Sequence, residues 1–344
     1  DRYQYTYDHD GNVTAKTNAL NSALDETYTY NSLNQLTAVT RNGTAYQSWV
    51  LDALGNMLSI TTNGTTQTRT YNDQNQLLTE DTTDLAYDNN GNNTTDDQGN
   101  TLTYDAWNRL IQVTNSSDVP IRTNSYDGTG RQITQDPMFD DTMDIYYSSQ
   151  WQVIEERLSS NDDVEAQYVW SPVYVNAVIF KDEDTNDNQS FDNSERTYSL
   201  QDANYNVTAL VTYNSTTSTW AVNEHVIYNA YGAATFTDAT WTTASDTRNT
   251  EMRFQGMWWD PVTGMYKAQQ RNDSVSQMRW TRNDPELHIN GLDMYVAFNN
   301  NSYIYVDPTG TESHTLDELE KTTVVAGLKQ LEGDNSWIGL FSKT

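Results

Sequence analysis

A seven-residue phrase recurs through the first 135 residues and restricts what this chain can fold into. It reads Tyr, Asp or Asn, two variable residues, Gly or Asn, a polar residue, then usually an apolar one. Copies start at Tyr7, Tyr30, Leu51, Tyr71, Tyr87, Tyr104 and Tyr126, at intervals of 16 to 23 residues. Self-similarity at such a period marks an array of small units rather than one packed body. The fifth position carries the physical information. It holds Gly11, Asn34, Gly55, Asn75, Gly91, Asn108 and Gly130. Gly and Asn tolerate positive φ at least steric cost, so the restriction predicts a tight turn with a left-handed residue. The Asp or Asn at the second position can accept from backbone amides two residues on.

The flanks read as strands. Residues 27–30 (Thr-Tyr-Thr-Tyr) precede one turn, and residues 35–40 (Gln-Leu-Thr-Ala-Val-Thr) follow it. Both alternate polar with apolar residues and favour Thr, Tyr and Val. Each unit is therefore expected to be a β-hairpin, with successive hairpins paired into one long antiparallel sheet. The fold class is all-β. Hydrophobic residues make up only 36% of the chain, but aromatics reach 12%, with 23 Tyr. That balance suits a thin sheet whose Tyr rings bury carbon and keep a wet hydroxyl; a disordered chain lacks such aromatics.

The net charge is −29, from 48 acidic against 19 basic residues. A chain so acidic repels nucleic acid and anionic membrane surfaces and favours cations. It has no cysteine, which excludes disulfide and thiol chemistry. No apolar run approaches the ~18 residues of a membrane span. The chain starts in mid-repeat without Met, as expected for a piece of a longer protein.

After residue 135 the phrase loosens while strand patterns continue to about residue 249. Residues 173–180 form the most apolar expected strand, and a hairpin is expected to turn near Asn204. Within 182–195 lies an acidic loop with the oxygen spacing of a twelve-residue calcium site. Asp184, Asn186, Asn188, Asp192 and Glu195 supply side-chain oxygens at positions 1, 3, 5, 9 and 12, and Ser190 a carbonyl at position 7. Gln189 stands where such loops carry Gly, which implies some strain. A solvated Asp/Asn turn is the plain alternative to bound Ca²⁺. In the last segment, 312–344, Thr315-Leu316-Asp317-Glu318 forms a capping box, and apolar residues at helical spacing predict a helix over 315–332.

The repeated phrase resembles the YD repeats of Rhs proteins, Tc-toxin C components and teneurins. The stretch 250–311 resembles the Rhs-associated core. Residues 253–266 are similar to its entry phrase R-F-x-G-x-x-x-D-P-x-T-G-L-Y, and 282–285 and 306–310 to its two Asp-Pro steps. Between them the usual R-Y-Y-D-P run is replaced by Gln-Gln-Arg-Asn at 269–272. The resemblance implies an antiparallel sheet spiralling into a hollow shell, secreted or at the cell surface. Such a shell encloses a C-terminal cargo or serves as an adhesive or polymeric surface module. The resemblance also implies that Asp284 and Asp307 act together as an intramolecular aspartyl protease that cuts just after the terminal Asp-Pro-x-Gly-Leu. Here Thr311 replaces that Leu, so the aspartates are expected to keep their geometry while cleavage near Gly310-Thr311 is slow or absent. The alternative is two turn-forming Asp-Pro steps. The implied partners are the chain's own C-terminal region or cargo, or further copies and cell-surface partners; nucleic acid and a membrane span are not expected.

Overall fold

At each of its seven sites the repeated phrase forms one and the same turn. In the computed structural model, which describes residues 2–138, 140–248, 250–287 and 291–315, the strand Tyr3–Tyr7 ends at the first residue of the phrase and Val13–Asn18 begins at the seventh. Between them Asp8 N donates to Asn12 O at 3.0 Å, and Gly11 N to Asp8 O at 3.3 Å. Asp8 Oδ1 accepts from the amides of Asp10 and Asn12 at 3.0 and 2.9 Å. The fifth residue is left-handed in every copy, with φ from 60 to 95°. The first and seventh residues face each other across a register shift: Tyr7 with Val13, Tyr30 with Leu36, Tyr71 with Leu77, Tyr104 with Leu110. Each turn thus inserts a bulge that sharpens the local twist.

In three of the seven copies the phrase's tyrosine ties its turn to an earlier one. Tyr30 Oη donates to Val13 O at 2.7 Å, Tyr71 to Met57 O at 3.0 Å and Tyr126 to Leu110 O at 2.8 Å. The ladder continues with Tyr147 to Gln132 O, Trp170 Nε1 to Val153 O and Tyr228 to Val207 O. In every case the acceptor is the residue just after the preceding turn, where the bulge has freed a carbonyl from the strand pairing. Burial raises the Tyr30, Tyr126, Tyr147 and Tyr228 hydroxyls above their ordinary pKa, so they remain donors. Asn side chains add a second row: Asn12 Nδ2 donates to Asn34 Oδ1, Asn56 to Asn75 and Asn92 to Asn108.

Strands are added strictly in chain order. A nine-stranded antiparallel sheet runs from Tyr3–Tyr7 to Thr83–Asp84, and a fifteen-stranded one from Ala86–Tyr87 to Thr243–Ala244. Two long sheets therefore replace the single sheet expected. The ladder lapses at Leu85, whose amide still reaches Leu78 O at 2.9 Å while its side chain is buried. The later turns meet the early strands. Lys16 Nζ pairs with Asp202 at 2.7 Å, and Ala230 and Tyr231 join Tyr28, Leu36, Val39, Trp49 and Ile60 in one apolar cluster.

The turn does not stop at residue 135. It recurs past that point with Trp151, Tyr205, Gly232 and Trp241 as the left-handed residue, and Gly99 and Asp118 form it between copies of the phrase. The expected hairpin near Asn204 is formed. The expected strand over 173–180 is not: the strand is Val178–Glu183, and 173–177 turns, with Ala177 N donating to Tyr174 O at 3.1 Å. Tyr174 and Ala177 are apolar because they are packed, not because they are paired, while Val173 is exposed. Tyr174 stacks on Tyr205 at 4.1 Å and lies buried with Ala177 and Val306. The expected helix lies outside the described residues beyond Thr315, which ends the short strand His314–Thr315.

Residues 250–315 fold as a cap along the row of turns. Strands Trp258–Asp260, Met265–Lys267, Asn272–Ser274 and Arg279–Trp280 make a four-stranded sheet, so the altered run 269–272 still leads into a strand. The cap's side chains bond the left-handed turns directly. Asn301 Nδ2 donates to Asn34 O and Asn12 Oδ1, Asn300 Nδ2 to Gly55 O, Arg279 Nη2 to Asn75 O, Tyr295 Oη to Gly91 O and Tyr266 Oη to Gly232 O. Among the described residues no helix is long and apolar enough to cross a membrane.

Candidate functional site

Asp284 and Asp307 each sit at the second position of a turn built like those of the repeat. Leu287 N donates to Asp284 O at 3.0 Å, with Leu287 at φ 61°; Gly310 N donates to Asp307 O at 3.3 Å, with Gly310 at φ 70°. Asp284 Oδ1 accepts from Glu286 N at 2.9 Å. Asp307 Oδ1 accepts from Gly310 N at 2.7 Å, Thr311 N at 3.0 Å and Thr309 Oγ1 at 3.1 Å. In the first repeat turn the matching Asp8 is exposed; here both aspartates are buried.

What brings the pair together is Arg271. Its Nη2 lies 2.9 Å from Asp284 Oδ2 and 3.3 Å from Asp307 Oδ2, with all three side chains almost fully buried. Its Nη1 donates to Met294 O at 3.1 Å, its Nε donates to Gly310 O, and its guanidinium lies 4.5 Å from the Trp280 ring centroid. A single guanidinium thus clamps both carboxylates and two peptide carbonyls in a buried interior, the setting in which charge-assisted bonds are strongest. The peptide bond between Gly310 and Thr311 is held at both ends. Arg271 grips its oxygen, and Asp307 accepts its N–H.

A third carboxylate belongs to the same cluster. Asp273 is fully buried on the strand Asn272–Ser274, and neither of its oxygens meets a donor among the described residues. Burial pushes its pKa up to about 7; Arg271 pulls it down and Asp307 pushes it up. Neither Arg271 nor Asp273 stood out in the sequence. No local pattern marked either one: Arg271 directly precedes the strand Asn272–Ser274 that carries Asp273.

The acidic loop is folded by its own oxygens. Asp184 Oδ1 accepts from the amides of Asn186 and Asn188, and Asp184 Oδ2 from Gln189 N at 2.7 Å. Glu195 Oε1 accepts from Thr185 N and Asn186 Nδ2, and Glu195 Oε2 from Asp192 N. Asp192 Oδ1 is taken by Ser194 N, and Ser190 N donates to Asn188 Oδ1. Gln189 adopts φ 58°, the left-handed turn that the calcium spacing asks of this position. Among the described residues no group of three or more His, Cys, Asp or Glu side chains is arranged to hold a metal ion.

Residues 2–186 match the family model of the teneurin YD-shell. Over 291 residues the chain is 28% identical to the tRNA3(Ser)-specific nuclease WapA of Bacillus spizizenii, and over 290 residues 28% identical to the tRNA nuclease WapA of Bacillus subtilis. In both cases the match covers 82% of this chain and 12% of the relative. Among solved structures, the TcdB2-TccC3-Cdc42 complex matches with TM-score 0.69 at 21% identity, over 94% of this chain and 17% of that one. The Tc holotoxin pore of Photorhabdus luminescens matches with TM-score 0.70 at 21% identity, over 91% and 17%. At that identity the likeness is one of fold. With the family model spanning more than half the chain, and with the turn, the ladder and the cap in place, this chain belongs to the Rhs/YD-repeat family and forms its β-shell.

Proposed function

We propose that this chain is the closing part of a secreted or surface-displayed shell, and that it encloses the polypeptide that follows residue 311. The supporting observation is the cap. Its side chains bond the turns of the hairpin array one after another, and its last turn delivers the chain at Gly310-Thr311 into the buried Arg271 cluster. Lys321, Lys329 and Lys343 lie beyond that point. Under limited trypsin digestion they stay uncut in the intact chain, and they are cut early in an Asn300→Ala, Asn301→Ala variant, which loses cap contacts. Equal cleavage in both proteins overturns the enclosure.

A second reading rests on the doubly held peptide bond. In it the Arg271 cluster hydrolyses the chain at Gly310-Thr311. Water adds to the Gly310 carbonyl carbon and gives its proton to one carboxylate, Arg271 takes the developing negative charge on oxygen, and a protonated carboxylate supplies the proton that leaves with the Thr311 nitrogen. Asp284 and Asp307 are the acid–base pair. Thr311 lacks the bulk of the Leu of relatives, and lost burial of a Leu side chain is worth ~1.5–3 kcal/mol, so turnover is slow. Intact-mass measurement of freshly purified protein decides it: a fragment ending at or beside Gly310, missing from Asp307→Asn, supports hydrolysis, and a single full-length mass after prolonged incubation removes it.

We also propose Ca²⁺ binding by Asp184, Asn186, Asn188, Ser190, Asp192 and Glu195. The left-handed Gln189 supports it, and the existing bonds to Asp184 and Glu195 limit it: Glu195 must release Asn186 Nδ2 to face an ion.

A further inference from the structure

Outside the Arg271 cluster, one cavity combines features that no structural role requires. It measures about 480 Å³ and lies between the turns at 104–110 and 126–130 and the cap residues 267–272. A bare oxyanion would occupy little of it, since a water takes ~30 Å³ in the liquid, and its size falls within the range of organic-ligand sites. Most Lys and Arg side chains of this acidic protein sit against carboxylates. Lys267 and Arg282 make no ion pair among the described residues, yet both line this one cavity. Lys267 Nζ donates to Gln132 Oε1 and lies 5.4 Å from the Tyr126 ring centroid; the nearby Asp260 is already taken by Arg122 at 2.6 Å. Among the described residues Arg282 Nη2 donates only to the carbonyl of Gln270. Burial pushes Lys267 down to about 7 and lowers Arg282 as well, as expected of cations waiting for a counter-charge.

The cavity also carries an aromatic wall. Trp107 is 73% exposed, the most exposed large hydrophobic side chain among the described residues, and Arg109 lies 5.1 Å from its ring centroid. Trp151 lines the same space, and Gln269, Gln270 and Asn272 add polar groups to its cap side. Indole faces suit the C–H face of a sugar ring, amides suit hydroxyls, and unpaired cations suit a carboxylate. We propose that this cavity binds an acidic sugar, a pyranose bearing a carboxylate, with Trp107 and Trp151 against the ring and Lys267 and Arg282 toward the acid.

Isothermal titration with trigalacturonate tests it, with a neutral galactose trimer, inorganic phosphate and a Glu-rich peptide as comparators. The expected result is saturable binding of trigalacturonate alone, weakening as salt rises. Trp107→Ala and Arg282→Gln each weaken it by roughly tenfold, the scale of a lost apolar ring contact or charge-assisted bond. Trp107 is exposed, so its variant keeps the fold. Absence of binding overturns the proposal. So does equal binding of any of the three comparators, or unchanged affinity in both variants.

Discussion

Replacing Gly256 by Ala measures how tightly the cap is pressed onto the sheet, provided it is compared with Gly11→Ala. Both glycines are left-handed, at φ 64° and 85°, so both replacements incur the same backbone strain, about 1–2 kcal/mol. Both also stiffen the unfolded chain equally, and that contribution cancels in the comparison. The difference lies in what the new methyl meets. At Gly11 nothing lies within 4 Å. At Gly256 the Cβ would stand 2.0 Å from the backbone oxygen of Asn176 and 2.9 Å from its carbonyl carbon. A backbone oxygen cannot rotate aside, so the cap must shift, and overpacking of this kind costs typically about 1–3 kcal/mol. The shift also strains Asn176 Nδ2, which donates to Gln255 O, and Gln255 N, which donates to Asn206 Oδ1. Gly256→Ala should therefore lose roughly 2–5 kcal/mol, and Gly11→Ala roughly 1–2 kcal/mol. Urea titrations followed by tryptophan fluorescence give both values. Equal losses in the two variants would refute the argument that the cap's entry phrase needs Gly for lack of room.

Tyr126→Phe should cost about 0.5–1.5 kcal/mol in the same titration, because the ladder bond is lost while Leu110 O keeps its bond from Asn124 Nδ2 at 3.0 Å; a neutral change would mean the ladder is ornamental. Asp273 binds its proton more tightly folded than unfolded, since its pKa rises to about 7, so its contribution erodes stability as pH climbs from about 4 to about 7 and is constant above. Asp273→Asn should flatten that part of the stability–pH curve, gaining on the order of 2–4 kcal/mol at pH 8 relative to pH 4; an unchanged slope would show that the proton is held elsewhere. Millimolar Ca²⁺ should raise the melting temperature relative to chelator, and Asp184→Ala should abolish the rise. The absence of any rise in the wild type leaves the loop a turn.

The turns were legible because left-handed backbone narrows the residue choice so sharply that Gly and Asn at one position disclose it. The same geometry stayed hidden where Trp151, Tyr205 and Trp241 bear it, because packing there overrides the local preference. Residues 173–177 misled for the opposite reason: a turn that buries Tyr174 and Ala177 reads in sequence like a strand. Asp284 and Asp307 could be picked out, but the guanidinium that joins them could not. Arg271 is 36 residues from Asp307 along the chain, and nothing local marks it.

The strict chain-order pairing of the two long sheets also sets an order of assembly. Each strand finds its partner among residues just made, so loop-closure entropy stays small and the array can grow one hairpin at a time as the chain emerges. The cap is different. Asn301 bonds Asn12 across 289 residues, and Arg279 bonds Asn75 across 204. Closure must wait until nearly all of the hairpins exist. Growth is gradual and sealing is late, so under the proposed enclosure the enclosed segment must enter before the cap closes.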